Sequence, residues 1–319
     1  MSPTTENPAR VSIGMPVYNG ERYIEQALNS LLSQSFEDFE LVILDNGSMD
    51  GTEGICRAYA AKDERVKYFR NRQNYGIVYN FNTVFRLTTG HYFKWAAADD
   101  ICEPDYLLRA VEMLDRDPSV VLVWAKTSGI DENGEPAETP SEVSDLNSPE
   151  SVYSPDPTVR FRRLLRNIWW VDGPFYGLMR GDVLARTPLH PKHMSGDQIL
   201  IAELSLHGRF YEIPQNLFFT RVHSGKASRV STLGERAALI DSGPHTRRGP
   251  KWWRLVRGYP ERLYFYLAAI RRAPITGRER MICRYEVGRT VMWWVRLRGS
   301  QRAAAGWRRL AGGAGRQRR

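Results

Sequence analysis

The stretch Phe39-Glu-Leu-Val-Ile-Leu-Asp-Asn-Gly-Ser-Met-Asp-Gly-Thr52 decides the fold class. Its first six residues form a short, mostly apolar run, which is typical of a strand buried on both faces. The run ends in a loop rich in Asp, Asn, Gly and Ser, and Thr52 opens a segment that is predicted to be helical. A buried strand followed directly by a turn and a helix indicates a parallel α/β sheet.

Further segments repeat this alternation along the first ~125 residues. After the first apolar run, residues 23–33 show helical spacing, with Ile24, Ala27, Leu28 and Leu31 on one face. Strands alternating with helices through short connections are typical of a mostly parallel sheet covered on both faces. The predicted fold class is therefore α/β, with a Rossmann-like, mostly parallel sheet flanked by helices. The other predicted strands are Val11–Met15, Val66–Arg70, His91–Ala96 and Val120–Trp124.

Polar residues at the strand ends are predicted to face one crevice. Ligands of open α/β sheets bind outside the carboxyl ends of the strands, where the loops beginning at Pro16, Asp45 and Ala97 all lie. Asp99 and Asp100 follow an apolar strand, and two carboxylates can bind Mg²⁺ or Mn²⁺, which prefer oxygen ligands. The alternative is that the pair caps the helix that follows.

Other candidate residues also have two interpretations each. Asp45 could accept a hydrogen bond from a base or a ribose, or it could close an Asx-turn that caps the next helix. Asp197 by itself predicts a helix N-cap, although Ser195 is available for that role. An aromatic cluster with one acid could stack on the apolar faces of sugars or could pack in the core. This cluster comprises Trp169, Trp170, Asp172 and Tyr176.

Several of these segments, in this order and at this spacing, resemble family-2 glycosyltransferases over about residues 11–125. The resemblance implies the GT-A fold, a nucleotide-diphosphate sugar as donor, a divalent cation (Mg²⁺ or Mn²⁺) and inversion at the anomeric carbon. The segments that carry it are Pro16-Val-Tyr-Asn-Gly20, Leu28-Asn-Ser-Leu-Leu-Ser-Gln34, Phe39 to Thr52, Asn74-Tyr-Gly76 and Asp99-Asp100 with Pro104.

The resemblance also implies roles for residues on the donor side. Asp45 would accept a hydrogen bond from the base, and Asp99 and Asp100 would form the metal-binding acidic motif, with Asp99 also facing the donor. The usual motif is Asp-x-Asp, and Ala97 occupies its first position in this chain. The remaining residues implied to line the nucleotide site are Pro16, Val17, Tyr18, Arg72 and Asn74.

On the acceptor side, the segment from Gly196 to Phe210 resembles the family motif whose acidic residue starts a helix below the acceptor. Asp197 is then the implied catalytic base. Arg221 would approach the diphosphate and His223 the metal or the diphosphate, although a lone His after a strand can also be structural.

The charge of the chain is unevenly distributed. Its net charge is +9, but residues 245–319 contain 20 Lys or Arg and 3 Asp or Glu, so the rest of the chain is acidic. Trp and Tyr alternate with Arg there, which favours an anionic membrane surface as partner. Two amphipathic helices, at about 261–271 and 278–298, could lie in that surface or pack on the body.

The composition also predicts where the protein works and how the chain is divided. Three scattered cysteines and an N-terminus without an apolar signal region predict a cytoplasmic protein, peripheral on the inner face of the plasma membrane. We predict a disordered N-terminus (1–10), a nucleotide-sugar-binding half (11–125), an acceptor-binding half (126–235) and a basic, membrane-associating extension (236–319). The expected partners are a UDP- or dTDP-sugar, a glycan or glycolipid acceptor and an anionic membrane surface.

Three other classes of protein remain open at this point. A nucleotidyltransferase would share the sheet, but usually carries a glycine-rich, basic loop after the first strand, which Pro16 to Gly20 lacks. A non-catalytic nucleotide-sugar- or glycan-binding protein would fit the altered metal motif at Ala97. Nucleic-acid binding is disfavoured, because only the basic charge of the extension supports it.

Overall fold

The computed structural model describes residues 8–137, 152–166, 172–193, 195–223 and 259–292. The strands within these ranges are β1 (Val11–Val17), β2 (Phe39–Asp45), β3 (Val66–Arg70), β4 (Tyr92–Trp95), β5 (Ile101–Cys102), β6 (Val120–Ile130), β7 (Pro136–Ala137), β8 (Leu178–Arg180) and β9 (Arg209–Arg221). The helices are α1 (Ile24–Leu32), α2 (Thr52–Lys62), α3 (Ile77–Arg86), α4 (Tyr106–Arg116), α5 (Pro157–Arg166), α6 (Asp172–Phe175), α7 (Gly181–Ala185), α8 (Gly196–Leu204), α9 (Tyr259–Arg272) and α10 (277–292).

One sheet runs through the molecule, in the order β3-β2-β1-β4-β8-β6-β9-β5, with β7 paired to β6. Strands β1 to β4 are parallel, and β6 is parallel to β9, whereas β8 and β5 are antiparallel to their neighbours. The α/β class and its mostly parallel core are thus confirmed. β1 lies between β2 and β4, so the chain reverses its direction of travel across the sheet at β1. Crevices form at such switch points, outside the carboxyl ends of the strands.

Two strands are longer than the sequence predicts. β6 continues to Ile130, so the predicted boundary between residues 125 and 126 falls inside a strand. The sequence predicts two separate short strands, near 210–213 and 218–222, but β9 is continuous from Arg209 to Arg221. It pairs with β6, and the register shifts around Lys126 absorb Pro214 as a bulge. Cross-strand pairing therefore overrides the local break signal.

The core has two apolar layers, one on each face of the sheet. The layer that includes α5 and α8 also contains buried residues of the C-terminal helices, among them Tyr266, Ile270, Cys283 and Val287. Residues 259–292 of the predicted extension therefore pack on the body. Among the described residues there is no helix long and apolar enough to cross a bilayer.

Candidate active site

The acidic pair lies at the switch point, in the turn between β4 and β5. Asp99 Oδ2 is 2.9 Å from Nε2 of His223. His223 follows β9 and lies 124 residues after Asp99 in the sequence. The ring of His223 also packs against the ring of Tyr23, with 4.9 Å between centroids. The Asp99 side chain is 21% exposed, so it can still reach a ligand in the crevice. The structure thus brings together two of the predicted metal ligands.

Asp100 faces the protein and is buried. Its Oδ1 accepts a hydrogen bond of 3.0 Å from the backbone N–H of Arg221, which fixes the turn against the end of β9. A carboxylate held in this way is a structural anchor as much as a ligand. The predicted cap role is not seen at α4, because its N-cap residue is Asp105, which makes no side-chain capping bond.

The guanidinium of Arg221 is fully buried beneath the acidic pair. It donates to the backbone carbonyl of Asp99 at 3.0 Å, to that of Asp131 at 2.9 Å and to Gln26 Oε1 at 2.6 Å. Its carbon Cζ lies 4.7 Å from the centroid of the Tyr23 ring. In this arrangement Arg221 braces the acidic turn from below, on the protein side of the pair.

Asp45 is also fully buried, at the end of β2. Its Oδ1 accepts the N–H of Ser48 and its Oδ2 accepts the hydroxyl of Tyr68, both at 2.8 Å, while Arg70 Nε lies 3.3 Å away. Burial, together with the Asp45 carboxylate, raises the pKa of Tyr68, so its hydroxyl stays protonated and donates. Asp45 therefore shapes the loop that the nucleotide is predicted to meet.

A network of asparagines, which the sequence interpretation missed, joins the strand ends. Asn46 Nδ2 donates to Asn74 Oδ1 at 2.9 Å, and Asn46 Oδ1 accepts from Asn71 Nδ2 at 3.0 Å. Asn71 Nδ2 also reaches Asn80 Oδ1, and Asn80 Nδ2 donates to the carbonyl of Leu44 at 2.9 Å. The run Asp45-Asn46 at a strand end was the available signal, but its partners are not adjacent in sequence.

The first two loops of the sheet are fastened to each other. Asn19 donates its N–H to Ser48 Oγ at 2.9 Å, and Asn19 Oδ1 accepts the N–H of Met49 at 2.9 Å. Asn19 has a φ of 51°, a left-handed conformation that Asn tolerates. Asp50, which directly precedes the N-cap residue Gly51 of α2, accepts the N–H of Thr52 at 3.1 Å.

The remaining predicted donor residues differ in exposure. Pro16 and Val17 are buried within β1, whereas Tyr18 is 40% exposed and Arg72 is exposed. Asn74 lies inside the asparagine network. Tyr18 and Arg72 are therefore the two with side-chain surface available to a ligand at this edge.

The predicted acceptor cluster is only partly visible. Trp169 and Trp170 lie outside the described residues, and Asp172 begins α6. The half-buried Tyr176 packs on Phe218, with 5.9 Å between centroids, and its carbonyl accepts a hydrogen bond from Lys94 Nζ. Lys94 is fully buried, and burial lowers the pKa of its ammonium. Tyr176 thus contributes to the packing below the acidic pair.

Asp197 lies in the first turn of α8, with its side chain half-buried. Ser195 occupies the N-cap position but makes no side-chain capping bond. Its hydroxyl instead accepts a hydrogen bond from Arg262 of α9, and Arg262 Nη2 also donates to Gln198 Oε1 at 2.6 Å. A helix N-terminus favours an ionised carboxylate, the form of Asp197 that can accept a proton.

These side chains bear on the implied cation. Within the described ranges, no three His, Cys, Asp or Glu side chains are arranged to hold a metal ion. Asp99 and His223 do form an oxygen–nitrogen pair at 2.9 Å. Mg²⁺ commonly binds through one or two carboxylates plus substrate phosphates, so Asp99 fits a cation that is shared with a diphosphate. Ala97 leaves the site with fewer carboxylates than the usual motif supplies.

A curled sheet with parallel strands on one side and an acidic turn at the switch point defines the GT-A class of fold. Residues 12–186 match the family described as Glycosyl transferase family 2. The match covers more than half of the chain, and the chain belongs to this family. The family resemblance seen in the sequence is therefore confirmed.

Curated relatives match part of the chain. The chain is 30% identical over 115 residues to an uncharacterized glycosyltransferase of Haemophilus influenzae, covering 36% of each protein. It is 34% identical over 133 residues to a chondroitin synthase of Escherichia coli, covering 42% of this chain and 19% of the relative. The chain thus matches well under two thirds of the length of these relatives.

Solved structures with the same fold include S. aureus TarS 1-349 in complex with UDP-GlcNAc, at a TM-score of 0.61 and 20% identity. That match covers 88% of this chain and 72% of the TarS chain. Mannosyltransferase PcManGT from Pyrobaculum calidifontis, in complex with GDP-Man and Mn²⁺, has a TM-score of 0.53 and 19% identity, covering 97% and 80%. At such identities the likeness shows the fold alone.

Proposed function

We propose that this protein is an inverting glycosyltransferase that moves a sugar from a nucleoside diphosphate sugar to a hydroxyl acceptor. The observation that carries the proposal is the Asp99–His223 pair at the switch point of the sheet, 2.9 Å apart and partly exposed. Family membership supports the reaction class, and two structural neighbours bind UDP-GlcNAc or GDP-Man.

The chain supplies a group for each part of a direct displacement. Asp197 accepts the proton of the acceptor hydroxyl while that oxygen attacks the anomeric carbon. Asp99 and His223 would hold a divalent cation, which would neutralise charge on the departing diphosphate. Tyr18 offers an exposed ring to the base, and the loop held by Asp45 meets the base edge. A UDP- or dTDP-sugar suits this edge, because both bases carry an imide N–H.

The donor can be identified by thermal unfolding with Mn²⁺ and a panel of UDP-, dTDP- and GDP-sugars. A bound donor stabilises the folded state, by about 2.7 kcal/mol at a hundredfold excess over Kd. Asp99→Asn should abolish the Mn²⁺-dependent part of the shift. A panel without any stabilising compound would contradict nucleotide-sugar binding.

Catalysis is tested by release of nucleoside diphosphate from the preferred donor. Asp197→Asn should still bind the donor, but should turn it over about two to four orders of magnitude more slowly. Full turnover by Asp197→Asn would refute the assignment of the base. Donor binding without turnover in the wild-type protein, with water and glycan acceptors, would favour the non-catalytic binding protein that Ala97 suggests.

We also propose that the acceptor is bound at a membrane surface. The inner faces of α9 and α10 pack on the body, but their outer faces expose Tyr264 (68%), Met281 (66%) and Tyr285 (65%) beside exposed Arg284 and Arg289. Aromatic rings and arginines together suit an anionic lipid surface. We therefore place the enzyme at the inner face of the plasma membrane, acting on a lipid or a lipid-linked glycan.

Sedimentation with vesicles tests this placement. The protein should bind vesicles containing phosphatidylglycerol, more weakly as salt rises, and should ignore phosphatidylcholine vesicles. Replacing Tyr285 and Arg284 with Ser should weaken binding while leaving the folded protein intact. Equal recovery in the supernatant with both lipids would exclude the membrane placement.

A further inference from the structure

The N-terminus of α8 is held by a residue from the C-terminal helices. Arg262, in the first turn of α9, is 9% exposed, and its Nη2 donates to Ser195 Oγ and to Gln198 Oε1. Ser195 and Gln198 stand on either side of Asp197 in the first turn of α8. A single guanidinium group therefore clamps the short segment that carries the proposed base.

Arg262 takes up the hydroxyl that would otherwise cap α8. Ser195 occupies the N-cap position, where a serine usually accepts an N–H of its own helix, but it makes no such bond here. Its oxygen is turned to Arg262 instead. The first turn of α8 is thus held by a residue 67 positions away in the sequence. A cap bond from Ser195 itself would be enough if the contact served only to cap the helix.

The charges around Tyr266 place Arg262 and Asp197 in the same small region. Burial raises the pKa of Tyr266, Arg262 opposes the rise and Asp197 adds to it. The hydroxyl of Tyr266 thus lies within electrostatic range of both side chains. Arg262 and Asp197 are therefore both close to the buried Tyr266.

We propose that Arg262 is a positioning residue for catalysis: it fixes the first turn of α8 so that the Asp197 carboxylate meets the acceptor hydroxyl. The proposal rests on the role of Asp197 as the base. It assigns to the basic C-terminal region a part in the chemistry, in addition to any contact with a membrane. A displacement of about 1 Å at a reacting group can lower the rate a hundredfold. Loss of Arg262 would therefore lower the rate even if the start of α8 shifted only slightly.

A second arginine of α9, at the opposite end of that helix, provides a matched control. Arg272 donates through Nε and Nη2 to the two carboxylate oxygens of Glu203, both at 2.8 Å. Glu203 lies near the end of α8 and is 1% exposed. Arg262 and Arg272 therefore join the same two helices, and only Arg262 contacts the turn that carries Asp197.

The test compares Arg262→Met with Arg272→Met in donor turnover with Mn²⁺, using the nucleotide sugar that stabilises the wild-type protein most. Arg262→Met should lower kcat about tenfold to a hundredfold and leave the KM for the donor unchanged, because the donor edge is untouched. Arg272→Met should lower the unfolding temperature at least as much and leave kcat unchanged. Arg262→Lys should restore part of kcat, since an ammonium can reach one of the two acceptors.

A second variant covers the case in which Arg262→Met does not fold. Gln198→Leu removes one acceptor of the clamp and leaves the arginine, and it should also lower kcat without changing the KM. Equal kcat values for the wild type, Gln198→Leu and a folded Arg262 variant would overturn the proposal. If those variants match the wild type while Asp197→Asn is inactive, only the clamp is refuted; if Asp197→Asn is fully active, the base itself is misassigned.

Discussion

The donor edge of the sheet and the start of α8 are built in different ways. At the donor edge, Asp45, Asn46 and Asn74 bind one another or neighbouring loops, and most of these partners lie within 30 residues in the sequence. At α8, the proposed base is held by Arg262, 67 residues away from Ser195. The first region is organised by consecutive strand–loop–helix units, whereas the second is completed by a distant helix.

Because of this difference, we expect substitutions in the two regions to affect different measured properties. A substitution in the donor edge removes a bond within the unit that binds the nucleotide, so we expect stability and donor affinity to fall together. A substitution at the α8–α9 contact leaves that unit intact, so the rate can change while donor affinity does not. Measurements of stability, donor affinity and rate on variants of the two regions can distinguish these two kinds of response.

The largest effect is expected at Arg221, which braces the acidic turn. Arg221→Met removes the donor to the carbonyls of Asp99 and Asp131 and to Gln26, and should lower the free energy of unfolding by about 3–5 kcal/mol, since each group left unsatisfied costs about 1–3 kcal/mol. Urea denaturation measures the loss, and the exposed Arg72→Met should change stability by about 0.5 kcal/mol or less. An Arg221→Met protein of normal stability that fails to bind the donor would show that Arg221 serves the diphosphate directly.

Asn46 is the centre of the asparagine network and should give the next largest effect. Asn46→Ala removes bonds to Asn74 and Asn71 and should cost about 2 kcal/mol, with weaker donor binding. Denaturation and donor titration would be compared with Asn29→Ala, whose exposed amide oxygen accepts the hydroxyl of Tyr59 at 2.7 Å. Unchanged donor affinity in Asn46→Ala would separate the network from the nucleotide site.

On the acceptor side, acid should act through His190. Burial lowers the pKa of His190 from 6.5 to about 4, and its ring lies where a Cβ at Gly196, the first residue of α8, would collide with it. Between these two values the unfolded chain binds a proton that the folded chain does not, so stability falls as the pH drops from 6.5 towards 4.

Urea midpoints at pH 7.5, 6 and 5 measure this loss. His190→Gln should flatten the pH dependence, and His207→Gln should flatten it as well, since burial also lowers the pKa of His207. An unchanged slope in His190→Gln would assign the acid sensitivity to other groups.

The smallest effect is expected at Asp50, which directly precedes the N-cap residue of α2. Asp50→Ala removes the acceptor of the Thr52 N–H and should cost about 1 kcal/mol. Asp105→Ala, at the start of α4, should cost less, because Asp105 makes no side-chain capping bond. A large loss of donor binding in Asp50→Ala would place Asp50 in the nucleotide site.

The donor half was largely predictable from the sequence, because each functional side chain there follows a strand within a few residues. Apolar runs locate the strands, and the topology then brings Asp45 and Asp99 to one edge. The burial of Asp45 and Arg221 was not predictable, since it depends on partners such as Tyr68 and Gln26 from other elements.

The acceptor half was harder to predict for a related reason. The Asp99–His223 and Arg262–Ser195 contacts span 124 and 67 residues, and no local pattern encodes them. The helices predicted at about 261–271 and 278–298 match α9 and, as far as residue 292, α10. Amphipathicity alone, however, cannot tell whether a membrane or a protein core covers the apolar face. Tyr266 and Ile270 face the core.

The position of Arg262 also has a consequence for synthesis. During synthesis the N-terminal segments of a chain emerge, and can begin to fold, before the C-terminal ones. The donor edge, complete by His223, can therefore form while α9 is still being translated. Until Arg262 has been synthesised, the nascent protein could bind a nucleotide sugar but would lack a well-placed base. Donor binding would therefore develop before the ability to transfer the sugar.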